Sequence, residues 1–170
     1  MRVRAAVLED AEAISAIATD YLPMTCESDT PVEELVRYVD DYLSPSCFRS
    51  ALSSPTQEVL VLEKNGQVVG FSQIDHTPDT LDIAQADLIP ELKRCYVAAS
   101  HRGTGAAQWL LAATLSGVAG RIRLRVDDEN VRAISFYKRN GFESVGETAF
   151  EYGENHQRHL VMVREWNART

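Results

Sequence analysis

The stretch Glu91–Leu111, ELKRCYVAASHRGTGAAQWLL, decides how the rest of the chain is read. Its first part sets Leu92 and the Cys95–Val97 run among charged residues, the pattern of a short, half-buried strand. Its last part, with Ala106, Ala107, Trp109, Leu110 and Leu111, combines good helix formers with an apolar face. Between them lies Arg102-Gly103-Thr104-Gly105, a turn with two glycines and a cation. A strand–loop–helix junction leaves the first backbone N–H groups of the helix without internal partners. Glycine lets the backbone approach an anion closely, and the helix dipole favours negative charge there. The junction therefore points to a phosphate-bearing ligand, the alternative being an ordinary glycine turn before a core helix. Two nucleotide-binding patterns fail at this position: no Lys follows Gly105, and Gln108 stands where Gly-x-Gly-x-x-Gly from Gly103 needs its third glycine.

A second segment lies downstream, Asn130-Val-Arg-Ala133-Ile-Ser-Phe136-Tyr137-Lys-Arg-Asn-Gly141-Phe142. Asn130 is placed to cap a helix that runs to about Asn140, with Gly141 as its stop. Arg102, Gly105 and Ala107, after a strand ending in Tyr96-Val97, match the acyl-CoA loop Arg/Gln-x-x-Gly-x-Gly/Ala of the GNAT superfamily of N-acyltransferases. The downstream segment resembles that family's Asn-x-x-Ala-x-x-Phe-Tyr-x-x-x-Gly-Phe without a gap. Two motifs in the right order make the chain similar to the family over nearly its whole length.

The resemblance implies an α/β fold in one domain, residues 1–170: a mixed, mostly antiparallel sheet of about seven strands flanked by about four helices and splayed at strands four and five. It implies acetyl-CoA as co-substrate, no metal, and transfer of the acetyl group to a primary amine by direct attack on the thioester. Cys95, Tyr96 and Val97 would offer backbone groups to the pantetheine arm and to the carbonyl oxygen. Arg102, Gly103, Thr104, Gly105, Ala106 and Ala107 would hold the pyrophosphate, and Asn130 would touch the arm. Tyr137 is the expected general acid toward the departing thiolate, a task suited to a phenol of ordinary pKa near 10. Its alternative is a core aromatic beside Phe136. Glu91 matches a carboxylate that serves many members as base, against the alternative of a strand-end surface acid. Asp75 and His76 are reserves.

At finer grain, Glu91–Val97 and the tail Ala149-Phe150-Glu-Tyr-Gly153-Glu-Asn-His-Gln157-Arg-His-Leu160-Val-Met162 resemble the bacterial polyamine (spermidine/spermine) acetyltransferase branch. The segment Arg125-Val126-Asp127-Asp128-Glu129 departs from that branch, and an arginine there is a poor neighbour for a polycation. The resemblance leaves open a peptide, protein or small-molecule amine as acceptor, or a non-catalytic acyl-CoA sensor. It also carries an expectation of a homodimer through the C-terminal strands.

Composition sets the outer bounds. A chain of 170 residues, 45% hydrophobic and 25% charged, is one ordinary globular domain. The net charge of −8 argues against a nucleic-acid partner and is compatible with a cationic substrate. Acids at Glu9, Asp10 and Glu12 interrupt any early apolar run, and no window reaches membrane-spanning length. Cys26, Cys47 and Cys95 lack metal or redox spacing, which points to a reducing, cytoplasmic setting.

In chain order, Arg2–Ala6 reads as an edge strand and Ala11–Tyr21 as a helix. Pro31 opens a second helix to about Leu43, and Ser44–Gln57 is turn-rich with a helical turn near Phe48–Leu52. In the family this region forms one wall of the acceptor site; here it carries Asp20, Glu27, Asp29, Glu33, Glu34, Asp40 and Asp41. Glu58–Glu63 and Gln67–Ile74 form a hairpin about Asn65-Gly66, followed by a polar loop, Asp75–Ala86. Arg121–Val126 alternates, with Ile122, Leu124 and Val126 expected inward and Arg121, Arg123 and Arg125 outward on a solvated face. Phe142–Phe150 and His159–Glu165 read as the last strands, joined by a loop Glu151–Arg158.

Overall fold

The computed structural model describes residues 1–26 and 28–165; of the acids named above, Glu27 lies outside them. Seven strands are hydrogen-bonded in the order β1-β2-β3-β4-β5-β7-β6: β1 (Arg2–Ala5), β2 (Gln57–Lys64), β3 (Gln67–Asp75), β4 (Glu91–Val97), β5 (Ile122–Asp127), β6 (Phe142–Tyr152) and β7 (Asn155–Arg164). The helices are α1 (Ala11–Tyr21), α2 (Val32–Tyr38), α3 (Pro45–Ser53), α4 (Ala106–Ser116) and α5 (Val131–Arg139). The sheet is mixed, with β4 and β5 parallel through the pair Glu91↔Arg123. The chain divides into two compact units. One comprises Met1–Ile74 and Arg94–Gly117, the other Asp75–Lys93 and the chain from Val118 onward.

In the first unit, α1 presents Ala11, Ile14, Ile17 and Ala18 to a core shared with Phe48, Val61 and Phe71, as its helical spacing requires. The second helix is shorter than its apolar repeat suggests. After Tyr38 the backbone widens into a π-type turn, Val39–Leu43, and the carbonyl of Leu43 accepts from the buried Ser15 hydroxyl at 2.6 Å. The turn-rich segment beyond it is a full helix. Ser44 caps it, its hydroxyl accepting from the Cys47 N–H at 3.3 Å, and Pro45 occupies the first turn, where its missing N–H costs nothing. That helix carries Phe48 edge-on to Phe71, with ring centroids 5.5 Å apart. On β3, Gly70 is demanded by packing. A Cβ there would stand 3.0 Å from the Tyr96 carbonyl oxygen and 3.0 Å from Val97 Cγ1, closer than packed atoms tolerate.

In the second unit, β5 pairs antiparallel with β7 from Ile122↔Arg164 to Asp127↔His159. The expected loop Glu151–Arg158 is instead the end of a long hairpin. β6 and β7 stay in register to Tyr152↔Asn155, leaving Gly153-Glu154 as the turn. Its polar sequence concealed the strands, but the burial alternates: Thr148, Phe150 and Tyr152 are half-buried while Ala149 and Glu151 are exposed. The outward placement expected of Arg123 is also wrong. Its side chain is completely buried.

One electrostatic clamp ties β1 into the first unit. Arg4 donates from both terminal nitrogens to Asp10, at 2.7 and 3.0 Å, and from Nε to Glu63 at 2.9 Å. The Arg4 guanidinium holds the Asp10 carboxyl below the usual carboxylate range, against the opposing pull of burial and helped by the Val7 N–H. A carboxylate depressed on folding stabilises above its unfolded pKa of about 4, and that stability is lost as pH falls through the folded value. Asp10→Asn should therefore lower the urea midpoint at pH 7, with the gap from the wild type shrinking markedly by pH 3. A gap unchanged across that range would remove the carboxylate from the account.

Candidate functional site

The loop before α4 is built as an anion cradle. Gly103 and Gly105 hold φ of +74° and +86°, and nothing lies within 4 Å of a Cβ built on either. Residues with side chains are strained in that conformation. Gly105 occupies the N-cap of α4 and supplies no capping side chain, so the helix's leading N–H groups stay available to a ligand. Thr104 closes the turn, its hydroxyl donating to the His101 carbonyl at 2.7 Å. Ala106 is buried and Ala107 half-buried at the helix start.

Arg102 is half committed. One terminal nitrogen meets Asp20 at 3.1 Å, and the guanidinium carbon lies 5.2 Å from the centre of the Tyr21 ring. Its Nε is buried without a hydrogen-bond partner, an orphan donor of the kind that native structures rarely keep. Such a donor, beside an uncapped helix start, fits a phosphate or diphosphate group.

The strand leading into this loop has two characters. Cys95 and Val97 are buried, and burial pushes the Cys95 thiol up to about 12, so it is a small core residue and not a thiolate nucleophile. Tyr96 stacks on Tyr21 with centroids 4.1 Å apart and stands edge-on to Phe71 at 5.7 Å.

In the second unit, Asn130 caps α5, its Oδ1 accepting from the Ala133 N–H at 3.1 Å. Tyr137 is half-buried on that helix, edge-on to Phe136 and Phe142 at 5.4 and 5.6 Å. Glu91 is not the strand-end surface acid that its sequence position allowed. It is only 2% exposed, and both oxygens are taken: Oε2 accepts from Arg123 Nε at 2.8 Å, and Oε1 from Arg125 Nε and a terminal nitrogen at 3.1 and 2.8 Å. Arg123 also donates to the carbonyls of Ala86 and Asp79, at 3.0 and 2.5 Å, and lies 3.6 Å from Asp87. Asp75 pairs loosely with Lys93 at 3.9 Å.

Sequence reasoning gives no role to Arg94 and His159 and places Arg123 on the wrong face. His159 is half-buried on β7, stacked on Phe150 at 5.1 Å, with Nε2 and Gln157 Oε1 3.2 Å apart. Burial lowers its pKa, partly countered by Asp127. The visible signal for Arg123 was a charge repeated every second residue in a strand whose other face is apolar. Pattern alone does not say which face carries a second layer. Among the described residues no group of three His, Cys, Asp or Glu side chains is arranged to hold a metal ion, and no helix is long and apolar enough to cross a membrane.

A buried ion pair loses most when one partner goes, because the other is left as an uncompensated charge. Glu91→Gln should cost roughly 3–5 kcal/mol of unfolding free energy, read from the urea midpoint at unchanged slope. Joint replacement, Glu91→Leu with Arg123→Met, should recover part of it. A Glu91→Gln variant as stable as the wild type would return Glu91 to the free acids.

Comparison with known proteins gives concordant results. A family model described as an acetyltransferase (GNAT) domain matches residues 55–144. An uncharacterized N-acetyltransferase of Mycobacterium tuberculosis is 31% identical over 162 residues, 93% of this chain and 99% of that protein. Among solved structures, the PaiA N-acetyltransferase of Thermoplasma acidophilum in complex with coenzyme A superposes with a TM-score of 0.73 at 20% identity, covering 97% of this chain and 98% of its own. YncA from Salmonella typhimurium, solved with its cofactor acetyl-CoA, gives 0.68 at 17% identity, covering 100% and 96%.

Proposed function

The chain belongs to the GNAT acetyltransferase family, and from that membership we propose that it transfers the acetyl group of acetyl-CoA to a primary amine, residues 1–170 serving as one catalytic domain in a reducing cytoplasm. The observation that carries the reading is the loop Arg102–Ala107. It pairs two left-handed glycines with an uncapped helix start and a buried, partnerless guanidinium nitrogen. That set fits the pyrophosphate of a coenzyme. The coenzyme supplies an activated acetyl group as a thioester.

The chain's own residues have separate tasks. Backbone groups of Cys95, Tyr96 and Val97 orient the arm and polarise the thioester carbonyl. Asn130 spends its side-chain oxygen on the α5 cap, leaving its amide nitrogen to meet the arm. As the amine nitrogen bonds to the acetyl carbon and the C–S bond breaks, Tyr137 gives its phenolic proton to the sulfur. The proton lost by the amine passes to solvent. Glu91 is not the base in this scheme: a carboxylate locked between two guanidiniums has no free oxygen to receive a proton.

Of the acids along the acceptor wall, Asp20 is paired with Arg102. The Arg125 guanidinium on β5 is a poor neighbour for a polycation, which makes a small amine the stronger reading and a polyamine the weaker. Tyr137→Phe should lower kcat by about 10²–10⁴ while the urea midpoint stays near that of the wild type, measured as free-thiol release from acetyl-CoA. Undiminished kcat would assign the proton to another group. Coenzyme binding without thiol release across a broad amine panel would favour the sensor reading instead.

A further inference from the structure

Arg94, on β4 one residue before the Cys95–Val97 segment, is a part-buried cation that no acid neutralises among the described residues of the first unit. Arg4 has Asp10 and Glu63, and Arg102 has Asp20. Arg94 has neutral partners. One terminal nitrogen donates to Gln73 Oε1 at 2.8 Å, and its guanidinium carbon lies 5.8 Å from the centre of the Phe48 ring. The Tyr38 phenol completes the set. Among the described residues no carboxylate lies within ion-pair distance of it. Gln73 is itself fixed, its Nε2 donating to Gln57 Oε1 at 3.0 Å, which turns the Gln73 oxygen toward Arg94.

A guanidinium held in place by a glutamine and aromatic rings, and still carrying its full charge, is a preorganised anion receptor. A guanidinium's planar fork matches a carboxylate, and the aromatic rings beside Arg94 lower the local dielectric. Such a charge is costly to leave uncompensated and repels a cation brought next to it.

We propose that Arg94 reads a carboxylate on the acceptor, so that the amine acetylated is that of a small amino acid with an apolar or aromatic side chain. The inference rests on the amine-acetylation reading above and names its substrate class. Arg94 immediately precedes Cys95–Val97 on β4, the segment whose backbone groups would hold the thioester.

The test compares phenylalanine, its carboxamide and phenethylamine, with spermidine as the cationic control, on the wild type and on Arg94→Met. Thiol release gives turnover, and calorimetry with coenzyme A present gives amino-acid binding independently of turnover. The wild type is expected to favour phenylalanine over its amide by about 30-fold or more in kcat/KM, the size of one desolvated charge contact. Arg94→Met should lose that preference while still acetylating the amide and phenethylamine. Calorimetric binding of phenylalanine that vanishes in Arg94→Met, with no turnover on any amine, would uphold the carboxylate site and reject the acetyltransferase reading. Equal use of acid and amide, a preference for spermidine, or an Arg94→Met variant that keeps the wild-type preference would each overturn the proposal.

Discussion

A guanidinium from which all water has been removed must find every acceptor inside the protein, and Arg123 organises the second unit around that demand. Its nitrogens are met by the Glu91 carboxylate and the carbonyls of Asp79 and Ala86, with Asp87 nearby. These groups come from two pieces of chain, the start of β4 and the segment before it. The segment cannot wander without leaving a buried charge exposed to nothing. Apolar packing reinforces it: Ala86, Leu81, Ile83 and Ile89 lie against Val161 and Val163 of β7 and Val145 of β6. What the sequence presents as a polar loop is therefore held as firmly as a strand. Arg125 shares Glu91, so the carboxylate is a hub of the buried ion-pair cluster.

In the first unit the same chemistry is solved three ways. Arg4 is clamped by two acids and fastens an edge strand; Arg102 is held by one acid and keeps an orphan donor; Arg94 is held, among the described residues, by an amide and aromatic rings. The second and third lie either side of Cys95–Val97 in the chain. The formal charge of −8 hides this division. A net count registers the acids, while the local field depends on which acids already have partners.

Much of this was legible in the sequence. Helix α1, the Asn65-Gly66 hairpin, the glycine loop and the Asn130 cap emerged where local chemistry and hydrophobic period agree. The misses share a cause. Ser44-Pro45 reads as a turn until it is recognised as an N-cap with proline in the first turn, and the β6–β7 hairpin reads as a loop because its strands are polar on both faces. Arg123 was assigned to solvent because periodicity separates two faces without saying what covers each. Glu91 was weighed as base or surface acid, and neither reading foresaw a third state, a buried counter-ion, which only its partners reveal.

The motifs also explain why membership in the family was easier to read than the acceptor. Gly103 and Gly105 matter for backbone freedom, Asn130 for a cap, and Cys95–Val97 for main-chain groups that any side chains of the right size would present. In the proposed reading these residues address a diphosphate and a thioester, which every acetyl-CoA-dependent relative must handle. Acceptor choice falls to side chains that no motif requires. In the proposal above that residue is Arg94 in its aromatic setting. A sequence can therefore resemble the polyamine branch through Glu91–Val97 without sharing its acceptor, because the resemblance records the backbone task common to the family and function rests on the site grafted onto the fold.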